Sequence, residues 1–90
     1  MPKTSDREAI IARLIELLQT ERLRQKLSLN EVATRSGLSH TMVMRVEKRE
    51  RLPTIDTLLR ITDALQVDLS LVLRQASGGA KKSDPARRQS

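Results

Sequence analysis

The sequence contains no cysteine and no phenylalanine, tyrosine or tryptophan. Without cysteine the chain cannot form disulfides, and its redox compartment stays undetermined. One histidine and no cysteine do not favour a zinc site built by this chain, so we expect no metal and no other cofactor. The missing aromatic residues also require a core made wholly of aliphatic side chains.

Long apolar runs are missing as well. No stretch reaches the about 20 apolar residues that a membrane-spanning helix requires, and the first residues, MPKTSDRE, lack the apolar segment of a signal peptide. We therefore expect a cytoplasmic protein without membrane contact. Its 90 residues allow one small domain, which would gain stability from dimerisation because its own core is limited.

Patterns that carry catalysis are also missing. The sequence has no nucleophile–base pair, no cluster of metal ligands and no glycine-rich phosphate loop after a strand. Its single imidazole, His40, is expected on an exposed helix face rather than in a pocket. We predict that the protein is not an enzyme.

Positive charge is present and unevenly distributed. Residues 22–51 hold eight basic and three acidic residues, a net charge of +5 within a total of +6. The tail, residues 77–90, adds +3, whereas each remaining segment carries −1. Such clustering is typical of a protein that binds a polyanion. Because single strands are usually held by stacking on aromatic rings, duplex DNA is the favoured polyanion.

The stretch 28–51 predicts two short helices joined by a tight turn. Ser28 is a good N-cap for the first helix, and Glu31 completes a capping box. Gly37 can take φ > 0 where this helix must stop, and Ser39 can cap the second helix. Two helices joined by a short turn containing glycine form a helix-turn-helix.

The second helix of this pair has two different faces. Val43 and Val46, three residues apart, give it one buried edge. The opposite arc carries hydrogen-bonding, methyl-bearing and cationic side chains, namely His40, Thr41, Met44, Arg45 and Lys48. Such groups contact base edges and phosphates in the major groove. An ordinary solvated face is the alternative, but the capped turn and the surrounding charge favour DNA contact.

The whole chain predicts an all-α fold of five helices. We expect them over residues 6–25, 29–36, 40–48, 55–65 and 69–76, with Ser5, Thr54 and Asp68 as further N-caps. The domain organisation follows as a flexible N-terminus at 1–5, one helix-turn-helix domain at 6–76 and a disordered basic tail at 77–90.

Several apolar residues exceed the needs of a single core. The helix after Thr54 is expected to be a plain core helix, with Ile55, Leu58, Leu59, Ile61 and Leu65 on its buried face. The last helix is apolar nearly all round, so one side should pack on its own domain and the other on a second copy. Flanking residues of the first helix either cover another helix of the same chain or join that contact. The candidate dimer interface comprises Leu69, Val72, Leu73, Ile10 and Leu17.

Residues 14–73 resemble the lambda-repressor-like (Xre/Cro-type) helix-turn-helix regulators. The resemblance is carried by LSLNEVATRSGLS at 27–39, VMRVE at 43–47 and LPTIDTLLRITDALQVDLSLVL at 52–73. It implies five helices, with the second and third as the DNA-reading unit.

The resemblance also implies roles for individual residues. His40, Thr41 and Arg45 would read bases, with Met44 beside them. Glu47 would position Arg22 near a phosphate. The phosphate-binding residues implied are Arg22, Ser28, Ser39, Lys48, Arg49 and Arg51.

Four positions depart from the family pattern. Leu29 replaces an amide-bearing residue, and Glu21 stands where the first helix is often apolar. Lys26 and Arg49 stand where the family often has glycine, which leaves the shape of those two turns open.

The functional expectation is a sequence-specific regulator of transcription that binds a palindromic operator on double-stranded DNA as a homodimer. No small-molecule ligand is expected, because no sensing domain is appended. The alternative is an antitoxin or a restriction-modification controller whose helix-turn-helix domain also binds a toxin or another protein.

Overall fold

The computed structural model describes residues 4–80, with side-chain surroundings given for residues 6–78. Five helices make up this part of the chain, and it contains no strand. They are α1 (Thr4–Arg24), α2 (Leu29–Ser36), α3 (His40–Glu47), α4 (Ile55–Leu65) and α5 (Leu69–Ala80). The predicted all-α, five-helix fold is confirmed.

Four helices begin at a side-chain cap, as the sequence predicts, and at the start of α5 the Asp68 carboxylate accepts the Ser70 N–H at 2.9 Å. The Ser28 hydroxyl accepts the Glu31 N–H at 3.0 Å, and the Glu31 carboxylate accepts the Ser28 N–H at 2.8 Å, completing the capping box. Ser39 accepts the Met42 N–H in the same way, and Thr54 caps α4. Each cap satisfies an N–H group that has no partner within its own helix.

Four helices end with a residue in the left-handed conformation. These residues are Lys26, Gly37, Arg49 and Gln66, with φ between 60° and 75°. The next residue in each case donates its N–H to a carbonyl five residues earlier, which is the Schellman arrangement. Lys26 and Arg49 therefore keep the turn shape that glycine would give, even though each carries a side chain.

The core is wholly aliphatic, as expected. α5 packs along α1, and α2 contacts both α3 and α4. The largest fully buried side chains are Leu65, Val32, Val43, Val46 and Thr62. The Thr62 hydroxyl donates to a backbone carbonyl of its own helix, so it is buried without losing its hydrogen bond.

Both ends of the fold differ from the prediction. α1 begins at Thr4, one residue before the expected cap Ser5, so residues 4 and 5 are part of the helix. α5 runs to Ala80, four residues beyond the expected end at Ala76. Ala76 is fully buried, and the extension beyond it contains Ser77 and two glycines, which are poor helix formers. The rest of the predicted flexible segments, residues 1–3 and 81–90, lies outside the described residues.

Helix α4 is not the plain core helix that was predicted. Leu58, Ile61 and Leu65 are buried, but Ile55 is 65% exposed and Leu59 is 46% exposed. The two exposed residues lie four apart and share a flank of α4 that no other helix covers in residues 6–78.

The apolar surface of α5 is also distributed differently from the prediction. Val72 and Ala76, four residues apart, are the residues that enter the core, and Val72 is only 9% exposed. Val72 therefore leaves little surface for a second copy. Leu71 and Leu73, which were expected on opposite sides, are both exposed.

Candidate nucleic-acid interface

Helix α3 presents one buried face and one open face. Val43 and Val46 are 1% and 2% exposed, so they anchor the helix in the core. The α3 outer face consists of His40, Thr41, Met44 and Arg45, of which Met44 is half-buried and the other three are exposed. Arg45 takes part in none of the ion pairs formed among residues 6–78. The structure therefore brings all four predicted base-reading residues onto one accessible surface.

A single arginine ties α3 to α1. The Arg22 Nε donates to Glu47 Oε2 at 2.6 Å, and its Nη2 donates to Glu47 Oε1 at 3.1 Å. Its Nη1 donates to the carbonyl of Leu27 at 2.7 Å. Both charged side chains are only 13% exposed. This bidentate pair fixes the end of α3 and the loop before α2 relative to α1.

The same geometry bears on the predicted phosphate contact of Arg22. A guanidinium carries five N–H donors, and three of them are used within the protein. The arrangement suits a residue that holds the outer face of α3 in place. Direct phosphate contact by Arg22 stays a prediction.

The two predicted serine contacts lie at exposed helix N-termini. Ser28 and Ser39 each use the hydroxyl oxygen to accept a backbone N–H, which leaves the hydroxyl hydrogen available to donate. Unpaired N–H groups at such termini favour anions. α3 has no acidic residue in its first turn, whereas α2 has Glu31. The hydrogen bond from the Ser28 N–H is the main cause that lowers the pKa of Glu31.

Basic residues follow α3 directly. Lys48, Arg49 and Arg51 are exposed, and none of them forms an ion pair within residues 6–78. They extend the cationic surface from the end of the helix, and their contact with phosphates stays a prediction. Lys26 was not among the predicted contacts, although it lies exposed beside Leu27, the residue that Arg22 binds.

Residues 4–80 contain neither a candidate metal site nor a candidate membrane-spanning helix. No group of three or more histidine, cysteine, aspartate or glutamate residues there could hold a metal ion. Between Thr4 and Ala80 no helix combines the length and apolarity of a membrane span.

Comparison with known proteins agrees with this geometry. Residues 18–72 match the family model HTH_3, Helix-turn-helix. The fold is similar to the crystal structure of a variant of the restriction-modification controller protein C.Esp1396I in which a tyrosine is replaced by alanine. The TM-score is 0.73 and the sequence identity is 21%, over 83% of this chain and 97% of that one. A comparison with curated proteins found no match.

The matched segment covers more than half of the chain and contains α2, α3 and α4 in full. It also includes the residues of the α3 outer face and the Arg22–Glu47 pair. The chain therefore belongs to the HTH_3 family of lambda-repressor-like helix-turn-helix DNA-binding domains, a family of regulators and not of enzymes.

Proposed function

We propose that the protein is a sequence-specific regulator of transcription that binds a near-palindromic site on double-stranded DNA as a homodimer. The observation that carries the proposal is the α3 outer face. His40, Thr41 and Arg45 are exposed there on a helix whose other side is buried and whose end is held by the Arg22–Glu47 pair. A rigid helix with exposed donors and a cation fits the major groove, where base edges differ in their hydrogen-bonding patterns.

Roles follow from position on this surface. His40, Thr41, Met44 and Arg45 read base edges in the proposal. Lys48, Arg49 and Arg51, together with the Ser28 and Ser39 hydroxyls, contact phosphates and fix the register of the protein on DNA. Arg22 supports this surface from behind.

An apolar groove between α4 and α5 supports the homodimer. Leu59, Leu69 and Leu73 line it, together with Asp63 and Asp68. Leu59 and Leu73 are each more than 40% exposed, whereas Leu69 is half-buried. We call this surface the α4–α5 groove. Exposed leucines side by side are typical of a surface that a partner covers.

The other predicted interface residues have smaller roles in this proposal. Ile10 and Leu17 are half-buried against the core of their own chain, as the same-chain alternative expects. Val72 is buried in the core of its own chain and has no part in the proposed contact. The dimer contact is therefore centred on Leu69 and Leu73, with Leu59 added.

In vitro selection of DNA sites on the purified protein tests the proposal, with Arg45→Ala carried through the same selection. Direct readout by Arg45 predicts that one consensus position relaxes, at a cost of about 1–3 kcal/mol for that base pair. If each protomer contacts about four phosphates, the slope of log affinity against log salt should be about −7 for the dimer.

Two outcomes contradict the proposal at different points. A uniform loss of affinity at every position in Arg45→Ala would assign Arg45 to phosphate contact. A shallow salt slope without any selected sequence would reject sequence-specific DNA binding. Glu50→Gln, a change in an exposed residue outside α3, is the matched control and should select the same consensus as the original chain.

A restriction-modification controller or an antitoxin is the second candidate. The fold similarity to C.Esp1396I favours a controller, and the open α4–α5 groove is a surface on which a protein partner could bind. Co-expression with the product of a neighbouring gene separates the two candidates. A stable heteromer formed through the groove supports the second, and a homodimer that excludes that product supports the first.

A further inference from the structure

Lys26 is a basic residue held in the left-handed conformation, with φ of 60°. At the end of α2 the same conformation is taken by Gly37, which has no Cβ to crowd the neighbouring carbonyl. Any residue with a side chain pays a conformational cost there. Strained residues that persist often serve a function, so the exposed side chain of Lys26 is a candidate for a functional contact.

Arg22 places Lys26 next to the end of α3. The guanidinium of Arg22 binds both the carbonyl of Leu27 and the carboxylate of Glu47. Leu27 follows Lys26 in the chain, and Glu47 precedes Lys48. Because one planar group contacts both sides, the turn after α1 and the turn after α3 lie close together at one end of the helix-turn-helix.

The exposed charges at this junction are mainly positive. Lys26, Lys48 and Arg49 are exposed and take part in no ion pair within residues 6–78. The carboxylate of Glu47 is neutralised by Arg22 and nearly buried. Two exposed acids remain near them, Glu50 and Glu16, and Glu16 is paired with Arg13.

The acid on the neighbouring turn of α1 is also neutralised. Glu21 pairs with Arg24 and accepts a further hydrogen bond from Gln25. The bond with Arg24 is the main cause that lowers the pKa of Glu21. Glu21 therefore stays ionised in a local ion pair and does not compete for Lys26.

We propose that Lys26 is a further phosphate-binding residue, and that Lys26, Lys48 and Arg49 bind one stretch of the backbone of duplex DNA as a single cation cluster. The inference rests on the proposed function and adds a contact to it. Two of these three cations sit at left-handed positions that glycine would occupy with less strain. The chain gives up local stability there and gains phosphate attraction in return.

Gln66 offers an internal control. It ends α4 in the same left-handed conformation, with φ of 61° and the same N–H bond back into the helix, but it is uncharged. Lys26→Gly and Gln66→Gly should therefore both raise the thermal midpoint by a few degrees, since each removes the same backbone strain. Only Lys26→Gly should weaken DNA binding.

The size of that weakening follows from counterion release. At 0.15 M salt each lost phosphate contact should lower affinity about fivefold, and it should reduce the steepness of the log–log salt slope by about 0.9. Two protomers double the change in slope. Titration of one selected duplex at several salt concentrations measures both quantities.

Two more variants separate local contact from net charge. Lys26→Gln removes the cation and keeps a side chain in the strained conformation, so it should lose affinity without gaining stability. Gln66→Lys adds a cation in the same conformation on the α4–α5 turn, and it should change affinity by less than about twofold. A gain in Gln66→Lys as large as the loss in Lys26→Gln would overturn the local contact.

The outcomes also separate this inference from the proposed function. If the original chain binds with a steep salt slope and Lys26→Gly matches it in affinity and slope, the Lys26 contact fails and DNA binding stands. If the original chain itself shows no salt-dependent binding to any duplex, the proposed function fails and this inference fails with it.

Discussion

The α3 outer face and the α4–α5 groove are two open surfaces of one small core, and their chemistry is opposite. The first presents His40, Thr41 and Arg45, whereas the second presents Leu59 and Leu73. Each surface lies on helices whose other side is buried in the aliphatic core. The same packing principle therefore produces a polar, cationic surface at one place and an apolar one at another.

The contrast indicates two different kinds of partner. Cations and hydrogen-bond donors on a held helix suit a polyanion whose grooves present acceptors. Exposed leucines gain free energy when a partner removes them from water, and a second copy of the same chain supplies an equal surface. In the proposed regulator, dimerisation through the groove brings two α3 outer faces to one DNA site. Binding of one face then raises the effective concentration of the other at its half-site.

The largest expected effect concerns the ion pair that holds α3. Arg22→Ala leaves the Glu47 carboxylate without its partner in a site that is 13% exposed, so it should lower the free energy of unfolding by about 3 kcal/mol. Arg13→Ala breaks an exposed pair with Glu16 and should cost less than about 0.5 kcal/mol. Urea denaturation followed by circular dichroism measures both. Equal small losses would show that the Arg22–Glu47 pair does not hold the outer face.

The second test separates the groove from the rest of the apolar surface. Leu73→Glu places a charge in the α4–α5 groove and should convert a homodimer into monomers, with DNA affinity falling about a hundredfold through lost avidity. Leu52→Glu changes a residue that is 70% exposed outside the groove, and it should leave the dimer intact. Light scattering after size-exclusion chromatography measures the mass. Dissociation by Leu52→Glu alone would move the interface to the segment between α3 and α4.

The smallest expected effect lies at the start of α2, beside the cationic surface. The hydrogen bond from the Ser28 N–H lowers the pKa of Glu31 below its ordinary value of 4.5. The folded state therefore binds this proton less readily than the unfolded state, so the stabilisation is present above pH 4.5 and is lost as the pH falls through the folded pKa. Glu31→Gln should flatten this part of the thermal-midpoint profile, below about pH 5, because the glutamine amide has no carboxylate to protonate there. If the thermal midpoints of Glu31→Gln and the original chain fall in parallel as the pH is lowered, Glu31 does not contribute to the acid sensitivity of the fold.

Local signals made much of the fold predictable. Ser28, Ser39 and Thr54 are caps whose hydrogen bonds lie within three residues, so the starts of α2, α3 and α4 follow directly from the sequence. Gly37 marked the end of α2 because glycine readily takes the left-handed conformation that ends the helix. The α3 outer face was predictable because helical periodicity alone places Val43 on the side opposite to it.

Two features of the fold could not be predicted from local sequence signals. α5 continues past the buried Ala76 to Ala80, although the serine and glycines of residues 77–79 favour an earlier end. Leu59 was assigned to the core because periodicity tells which residues share a face, but not how far the neighbouring helices extend over it.

The conformation of Lys26 was also beyond local reasoning. A lysine gives no local signal for φ of 60°, so the sequence left the turn shape open. The turn is held by the Arg22 bond to the Leu27 carbonyl and by the burial of Leu27. Both contacts depend on helices that are distant in sequence, since Arg22 is itself held by Glu47.

The absence of aromatic residues has an optical consequence. With no tryptophan or tyrosine anywhere in the sequence, the chain has almost no near-ultraviolet absorbance and no intrinsic fluorescence of its own. Near-ultraviolet absorbance in a purified sample therefore comes from another molecule, for example nucleic acid that has co-purified with the protein. A single tryptophan introduced into the α4–α5 groove would act as a background-free reporter of what covers that surface.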